Sequence, residues 1–213
     1  MITLYDYLPS QNGYKVRLLL NQLQRPYVTK LVSIFEGEGQ KADFLAKSPT
    51  GAVPVLELES GRVLAESNAI LLYLAEGTPY LPAHAWDRAQ VARWMFFEED
   101  FIQNGIASLR YWTMTGKLAR RSEEMIAAKR AASLKTLAIL ERWLTGNEFL
   151  TPSGYTIADI SVFAYVSRAA EAGIPLASYP SVAAWLARVR AQDHFLDTVH
   201  PYSIDPYSVN ELP

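Results

Sequence analysis

The stretch 6-DYLPSQNGYKVRLLLNQL-23 decides how this chain is read. Ahead of it, residues 2–7 have the apolar run of a strand. The chain then passes through Leu8-Pro9-Ser10-Gln11-Asn12-Gly13 and at once places Val16, Leu19, Leu20 and Leu23 at helical spacing. Arg25-Pro26 closes that helix, because the residue before a proline avoids helical backbone angles. A strand that turns straight into a helix delivers Ser10, Gln11 and Asn12 to the helix N-terminus. Unpaired amides and the helix dipole there favour negative charge, and a hydroxyl or side-chain amide can donate a hydrogen bond to it. The plainer reading is that Ser10 is an N-cap, a position for which serine is among the best residues. On local sequence alone the cap is the stronger reading.

Working outward, residues 27–34 read as a second strand, 36–40 as a polar glycine-bearing loop, and 42–46 as a short helix. Residues 55–58 give a third strand, and Glu59-Ser60-Gly61-Arg62 a tight turn into Val63-Leu64. Ile70, Tyr73 and Leu74 mark a third helix. This order predicts a small mixed sheet with helices packed on it over residues 1–77. Gly77-Thr78-Pro79-Tyr80-Leu81-Pro82 breaks the pattern, so residues 78–87 are expected to be a linker.

Residues 88–213 are expected to be an all-helical domain with an extended tail. Residues 86–116 read as one long helix or two, and Leu134, Leu137, Leu140 and Leu144 as the stripe of another. Thr156-Ile157-Ala158-Asp159 has the form of a capping box, flanked by Tyr155 and Ile160 at hydrophobic-staple spacing. Ser181 opens a last helix with Val182, Trp185, Leu186 and Val189 inward. Residues 201–213 hold three prolines and no periodicity, which suits an extended strap or disorder.

Composition narrows the function. The chain has 213 residues, a net charge of −2 and no cysteine. It can bury a sizeable core without cross-links. Mixed charge argues against a dedicated nucleic-acid surface, which needs a basic excess on one face. Without cysteine there is no disulfide, no thiolate–metal site and no thiol nucleophile of the protein's own. His84, His194 and His200 lie far apart without ligand spacing, so no metal is expected. No signal peptide is read at the N-terminus, and no apolar run reaches the roughly 18 residues of a membrane span. The expectation is a cytoplasmic protein that does not engage membranes.

Two further clusters carry polar groups to element starts. Gly51-Ala52-Val53-Pro54-Val55 places a proline just before a strand, where its missing amide is tolerated and a cis bond is possible. Ala65-Glu66-Ser67-Asn68 opens the third helix. There Ser67 and nearby amides could take a carboxylate and Glu66 an ammonium, as the two ends of an α-amino acid require. Each cluster alone is more simply a loop entry or a helix cap.

Together with the opening stretch, GAVPVL (51–56), ESNAILLYL (66–74) and TIADIS (156–161) resemble the cytosolic glutathione S-transferase family over about residues 1–200. The resemblance implies a thioredoxin-like α/β domain that binds glutathione, followed by an all-α domain that builds the second-substrate pocket. It implies a cis Val53-Pro54 bond, with the Val53 backbone on the cysteinyl part of glutathione. It implies Glu66 and Ser67 on the γ-glutamyl end, and Ser10 as donor to the glutathione sulfur. Glutathione would be a co-substrate, with no cofactor required. The second substrate would be a small hydrophobic electrophile or a disulfide, and the assembly a homodimer.

A free thiol has a pKa near 8.5, so only about a tenth is thiolate at pH 7.5. Each unit of lowering needs roughly 1.4 kcal/mol of preferential thiolate stabilisation. One charge-assisted hydrogen bond and a helix N-terminus supply on the order of one to two units. Serine is too weak an acid to serve as the base, so Ser10 is expected to donate.

Asn12 makes an S-x-N pattern that is similar to bacterial members that reduce disulfides with glutathione, so conjugation and disulfide reduction both stay open. A third possibility is a non-catalytic binding or regulatory protein on the same fold. Tyr5 and Tyr7 would share a strand face and one could reach the pocket. Ala52 stands where many relatives carry a basic residue near the glycine carboxylate, and Gln40 or Lys41 could substitute. Tyr7, Tyr111 and Trp112, with Phe101, are candidates for the second-substrate pocket, although aromatics at helical spacing are more often core. Glu99 or Asp100 could reach a partner subunit's glutathione amine.

Overall fold

A computed structural model describes residues 1–198 and 200–202. It divides into two compact units, Met1–Ala75 with Asp193–Pro213, and Glu76–Gln192.

The first unit runs β1 (Ile2–Asp6), α1 (Gln11–Gln22), β2 (Tyr27–Leu31), α2 (Ala42–Leu45), β3 (Val55–Glu57), β4 (Val63–Ala65) and α3 (Ser67–Ala75). The strand order is β2-β1-β3-β4, with β1 parallel to β2 and the other two pairings antiparallel. Leu4, Val16, Leu18, Leu19, Leu20, Leu56, Ile70 and Leu71 are fully buried and form its core. The β3–β4 pair joined by a tight turn and the parallel β1–β2 pair joined through a helix are the expected connections for such a sheet.

Two boundaries differ from the sequence reading. The second strand stops at Leu31, with Val32 N–H making the last ladder bond to Asp6 O (2.9 Å), and Ile34–Glu36 is a short 3-10 turn. Helix α1 ends before Arg25-Pro26. Gln24 adopts φ 50°, its N–H bonds to Asn21 O, and Arg25 N–H reaches back to Leu20 O, each at 2.9 Å. That paired pattern is a left-handed helix stop of the kind glycine usually provides.

The second unit holds α4 (Ala85–Phe97), a ten-residue π-helical stretch (Glu98–Ala107), α5 (Ser108–Met114), α6 (Glu123–Leu144), α7 (Ile157–Val166) and α8 (Pro180–Arg190). The span expected as one helix or two is thus three helical segments running without a break. Every residue of α7 is buried. The TIAD motif forms the expected capping box there. Asp159 accepts from Thr156 N–H (3.0 Å), from Leu150 N–H (3.0 Å) and from the Trp185 indole (2.9 Å). Burial pushes the Asp159 carboxyl up to about 6. Val182, Trp185, Leu186 and Val189 of α8 all face inward as expected, whereas Leu134 lies at the exposed edge of the α6 stripe.

The described residues after Gln192 group with the first unit, not with the helical domain in which the sequence pattern predicts them. Asn21 Nδ2 donates to His194 O (2.6 Å) and Tyr14 Oη to Leu196 O (2.7 Å), while Tyr202 lies 5.8 Å from Tyr7, centroid to centroid. Without apolar periodicity of its own, this segment is held by such side-chain bonds to α1. The expectation for residues 203–213 lies outside the described residues.

Candidate active site

One rung of the sheet organises the candidates. Tyr5 of β1 pairs with Val55 of β3, which pairs with Ala65 of β4, and Asp6 pairs with Leu31 of β2. At that end of the sheet β1 runs out towards Ser10, β2 towards Gln40 and Lys41, and β4 into Glu66 and Ser67. The chain enters β3 there through Val53-Pro54. Four stretches scattered over 60 residues of sequence therefore converge because parallel and antiparallel pairing bring their ends to one edge.

Ser10 is the N-cap of α1. Its Oγ accepts from Gly13 N–H at 3.4 Å, and its carbonyl accepts from Tyr14 N–H at 3.0 Å. A hydroxyl has one donor and two acceptor sites. Accepting from Gly13 leaves the Ser10 proton uncommitted to any described protein group, at a helix end that favours an anion. Asn12 follows on the first turn of α1 and is half-buried.

Beneath this turn lies a buried charge that sequence inspection missed. Asp6, fully buried, sits 2.9 Å from Arg17 Nε. Burial pushes its carboxyl up to about 6, opposed by Arg17 and by the Tyr7 backbone. Arg17 also donates to Leu8 O at 2.7 Å and so ties the Leu8-Pro9-Ser10 loop to α1. The Asp6 carboxylate occupies the space that a Cβ on Gly13 would need.

The Val53-Pro54 bond is cis, as the family resemblance implied, and both residues are buried. Gly51, at φ 68°, packs against Gly39 and the Gln40 amide, where a side chain would collide with Gly39 O. Gln40 is thereby brought to the 51–53 loop. Lys41 is exposed and lies 3.7 Å from Glu38.

Glu66 is exposed and takes φ 71°, and its carbonyl receives Ile70 N–H (2.9 Å) to start α3. Ser67 is buried, and Lys15 of α1, fully buried, donates from Nζ to Ser67 Oγ at 3.4 Å. Lys15 was not singled out in the sequence, because a lone lysine in a helix reads as solvent-facing.

The two candidate tyrosines do not share a strand face, since β1 ends at Asp6. Tyr5 donates to Glu57 Oε2 (2.6 Å), which also receives Lys47 Nζ (2.9 Å). Those bonds hold the Glu57 carboxyl below its ordinary value, the Tyr5 bond contributing most. Tyr7 is buried edge-on to Phe35 at 5.5 Å.

In the second unit, Tyr111 accepts from buried Lys117 at 2.7 Å, and Trp112 is flanked by Arg121 (5.1 Å) and Lys129 (5.4 Å). Phe101 stacks on Phe97 at 5.0 Å, and Glu99 and Asp100 are exposed on the π-helical stretch. Among the described residues no helix is long and apolar enough to cross a membrane.

Comparison with known proteins accords with this geometry. The family model for the glutathione S-transferase N-terminal domain matches residues 9–76, and that for the C-terminal domain matches residues 86–193. The chain belongs to the glutathione S-transferase family. It is a glutathione transferase-like enzyme with the family's architecture of a mixed four-stranded sheet domain and a helical domain. Glutathione S-transferase GstB of Escherichia coli is 30% identical, with 87% of this chain and 91% of that protein covered. Disulfide-bond oxidoreductase YfcG of the same organism is 28% identical, covering 90% and 91%. A crystal structure of a glutathione S-transferase from Pseudomonas fluorescens superposes with a TM-score of 0.89 at 38% identity, covering 92% and 97%.

Proposed function

We propose that this transferase stabilises the thiolate of glutathione with the Ser10 hydroxyl and directs it at a small hydrophobic electrophile. The observation that carries this is the uncommitted Ser10 proton at the α1 N-terminus, on the same sheet edge as Val53 and Ser67. In conjugation, a carbon–sulfur bond forms and the leaving group departs with its electron pair. The Val53 backbone holds the cysteinyl part, Glu66 and Ser67 the γ-glutamyl end, and Gln40 is the better placed candidate for the glycine carboxylate because its amide packs on Gly51.

Titrating thiolate absorbance of the bound complex tests this. Ser10→Ala should raise the bound thiol's pKa by about one unit with affinity changed less than about threefold. An unchanged titration transfers the role to Asn12.

A second reading, disulfide reduction, is favoured by Asn12 on the same helical turn and by the name of the relative YfcG. There the thiolate of one glutathione attacks a glutathionyl mixed disulfide, releasing the substrate thiolate and forming glutathione disulfide. Turnover of an aromatic halide against that of a mixed disulfide separates the two. Under either reading we take the protein as a homodimer, supported by the exposed Trp86 and Phe96 on α4 and checked by light scattering.

A further inference from the structure

Helix α1 carries a buried lysine whose ammonium meets the first residue of α3. Lys15 is fully buried, Ser67 nearly so, and Lys15 Nζ lies 3.4 Å from Ser67 Oγ. An ammonium has three protons and no lone pair, so in this contact it can only donate. Ser67 Oγ must accept, and its single proton is turned away from Lys15. A serine at a helix start with no such neighbour can turn its proton towards a backbone carbonyl and present a lone pair outward. In Ser67 one lone pair is taken by Lys15 and no described protein group accepts the proton, so the hydroxyl presents a donor.

We propose that Lys15 is a positioning residue that fixes Ser67 as a hydrogen-bond donor, so that the subsite at the α3 N-terminus selects the α-carboxylate of a γ-glutamyl group. The inference rests on the glutathione reading above and deepens it. The division of labour follows from the charges. Exposed Glu66, held at φ 71° beside Ser67, takes the α-ammonium, while the donor-only Ser67 and the helix end take the carboxylate. Lys15 touches no substrate. It acts through the hydroxyl.

The test compares two ligands by calorimetry: glutathione, and γ-aminobutyryl-cysteinyl-glycine, which lacks only that carboxylate. The wild-type protein should bind glutathione at least about tenfold more tightly. Lys15→Met should cut this ratio several-fold while changing affinity for the decarboxylated peptide less than about twofold. Ser67→Ala should cut the ratio equally, and the double variant no further. Where methionine at this buried site prevents folding, Lys15→Gln gives the same readout, because its amide oxygen can capture the Ser67 proton. A ratio does not depend on the fraction of protein folded.

Equal weakening of both ligands by the Lys15 variants would overturn the inference and leave Lys15 as a brace between α1 and α3. A ratio preserved in Ser67→Ala would overturn it as well. Wild-type protein that binds neither peptide would instead overturn the glutathione reading on which the inference stands.

Discussion

Gly13→Ala sets two opposing effects against each other, and their magnitudes decide the sign. Gly13 is the third residue of α1 and its φ is not left-handed, so alanine should favour the helix by about 1 kcal/mol. Yet the new Cβ would lie inside contact distance of both carboxylate oxygens of Asp6. That carboxylate is completely buried and sits 2.9 Å from Arg17 Nε, itself nearly buried. To admit a methyl group Asp6 must leave this position, and disrupting a buried ion pair costs on the order of 3–5 kcal/mol. Subtracting the helix gain leaves a net loss of about 2–4 kcal/mol. For a chain of this size that is a fall in Tm of roughly 5–15 °C. Thermal unfolding followed by circular dichroism reads it directly. The same substitution on an Asp6→Ala background should cost less than about 1 kcal/mol, because the obstructing carboxylate is gone. A Gly13→Ala protein that melts at or above the wild-type temperature would refute the reasoning.

Three other predictions follow from the same turn and its helix. Asp6 titrates near 6 in the fold, above its ordinary 3.8, so its stabilising share is complete below the lower value and lost as pH rises through the upper. The stability gap between wild type and Asp6→Asn should therefore be about 2 kcal/mol larger at pH 4 than at pH 7, and urea unfolding showing a pH-independent gap would contradict this. Gln24, exposed at φ 50°, should be improved by glycine, with Gln24→Gly gaining about 0.5–1 kcal/mol and a lower denaturation midpoint counting against the left-handed stop. Ser10→Asp separates capping from donation. Aspartate caps about as well as serine, so stability should hold within about 0.5 kcal/mol, but a carboxylate cannot donate to sulfur and the bound thiol's pKa should rise by about a unit or more, a result that retained thiolate would negate.

Much of this architecture was legible because it depends on short-range rules. TIAD announces its capping box through residue types at fixed spacing, and α7 starts there. The strand–helix order of the first unit was readable from periodicity and turn residues. What escaped was everything that depends on burial from more than one side. Periodicity marks helix α1 as amphipathic, with Val16, Leu19, Leu20 and Leu23 inward. In the fold Lys15, Arg17 and Leu18 are buried too, so the helix has almost no free face. A buried lysine or arginine leaves no mark in periodicity. Its partner, Ser67 or Asp6, comes from another element and is set by register rather than by spacing. The π-helical stretch escaped for a similar reason, since adding one residue per turn changes no residue type.

The turn at Ser10 shows why local and distant readings of one residue need not compete. A cap is chosen for its lone pair and a thiolate donor for its proton, and a hydroxyl carries both on one atom. Gly13 N–H uses the lone pair at 3.4 Å and no described group uses the proton. Asparagine could also do both, through separate atoms of its amide, whereas aspartate could do only the first. Ser67 repeats this logic on α3 with a different supplier, because there the lone pair is occupied by Lys15. In both places a protein group accepts the role of donor to the hydroxyl, and the hydroxyl's own proton is left for the ligand. On the proposed reading, two helix starts at one end of the sheet each offer a serine proton, which suits a molecule with a thiolate at one point and a carboxylate at another. The γ-glutamyl-cysteinyl portion of glutathione has both.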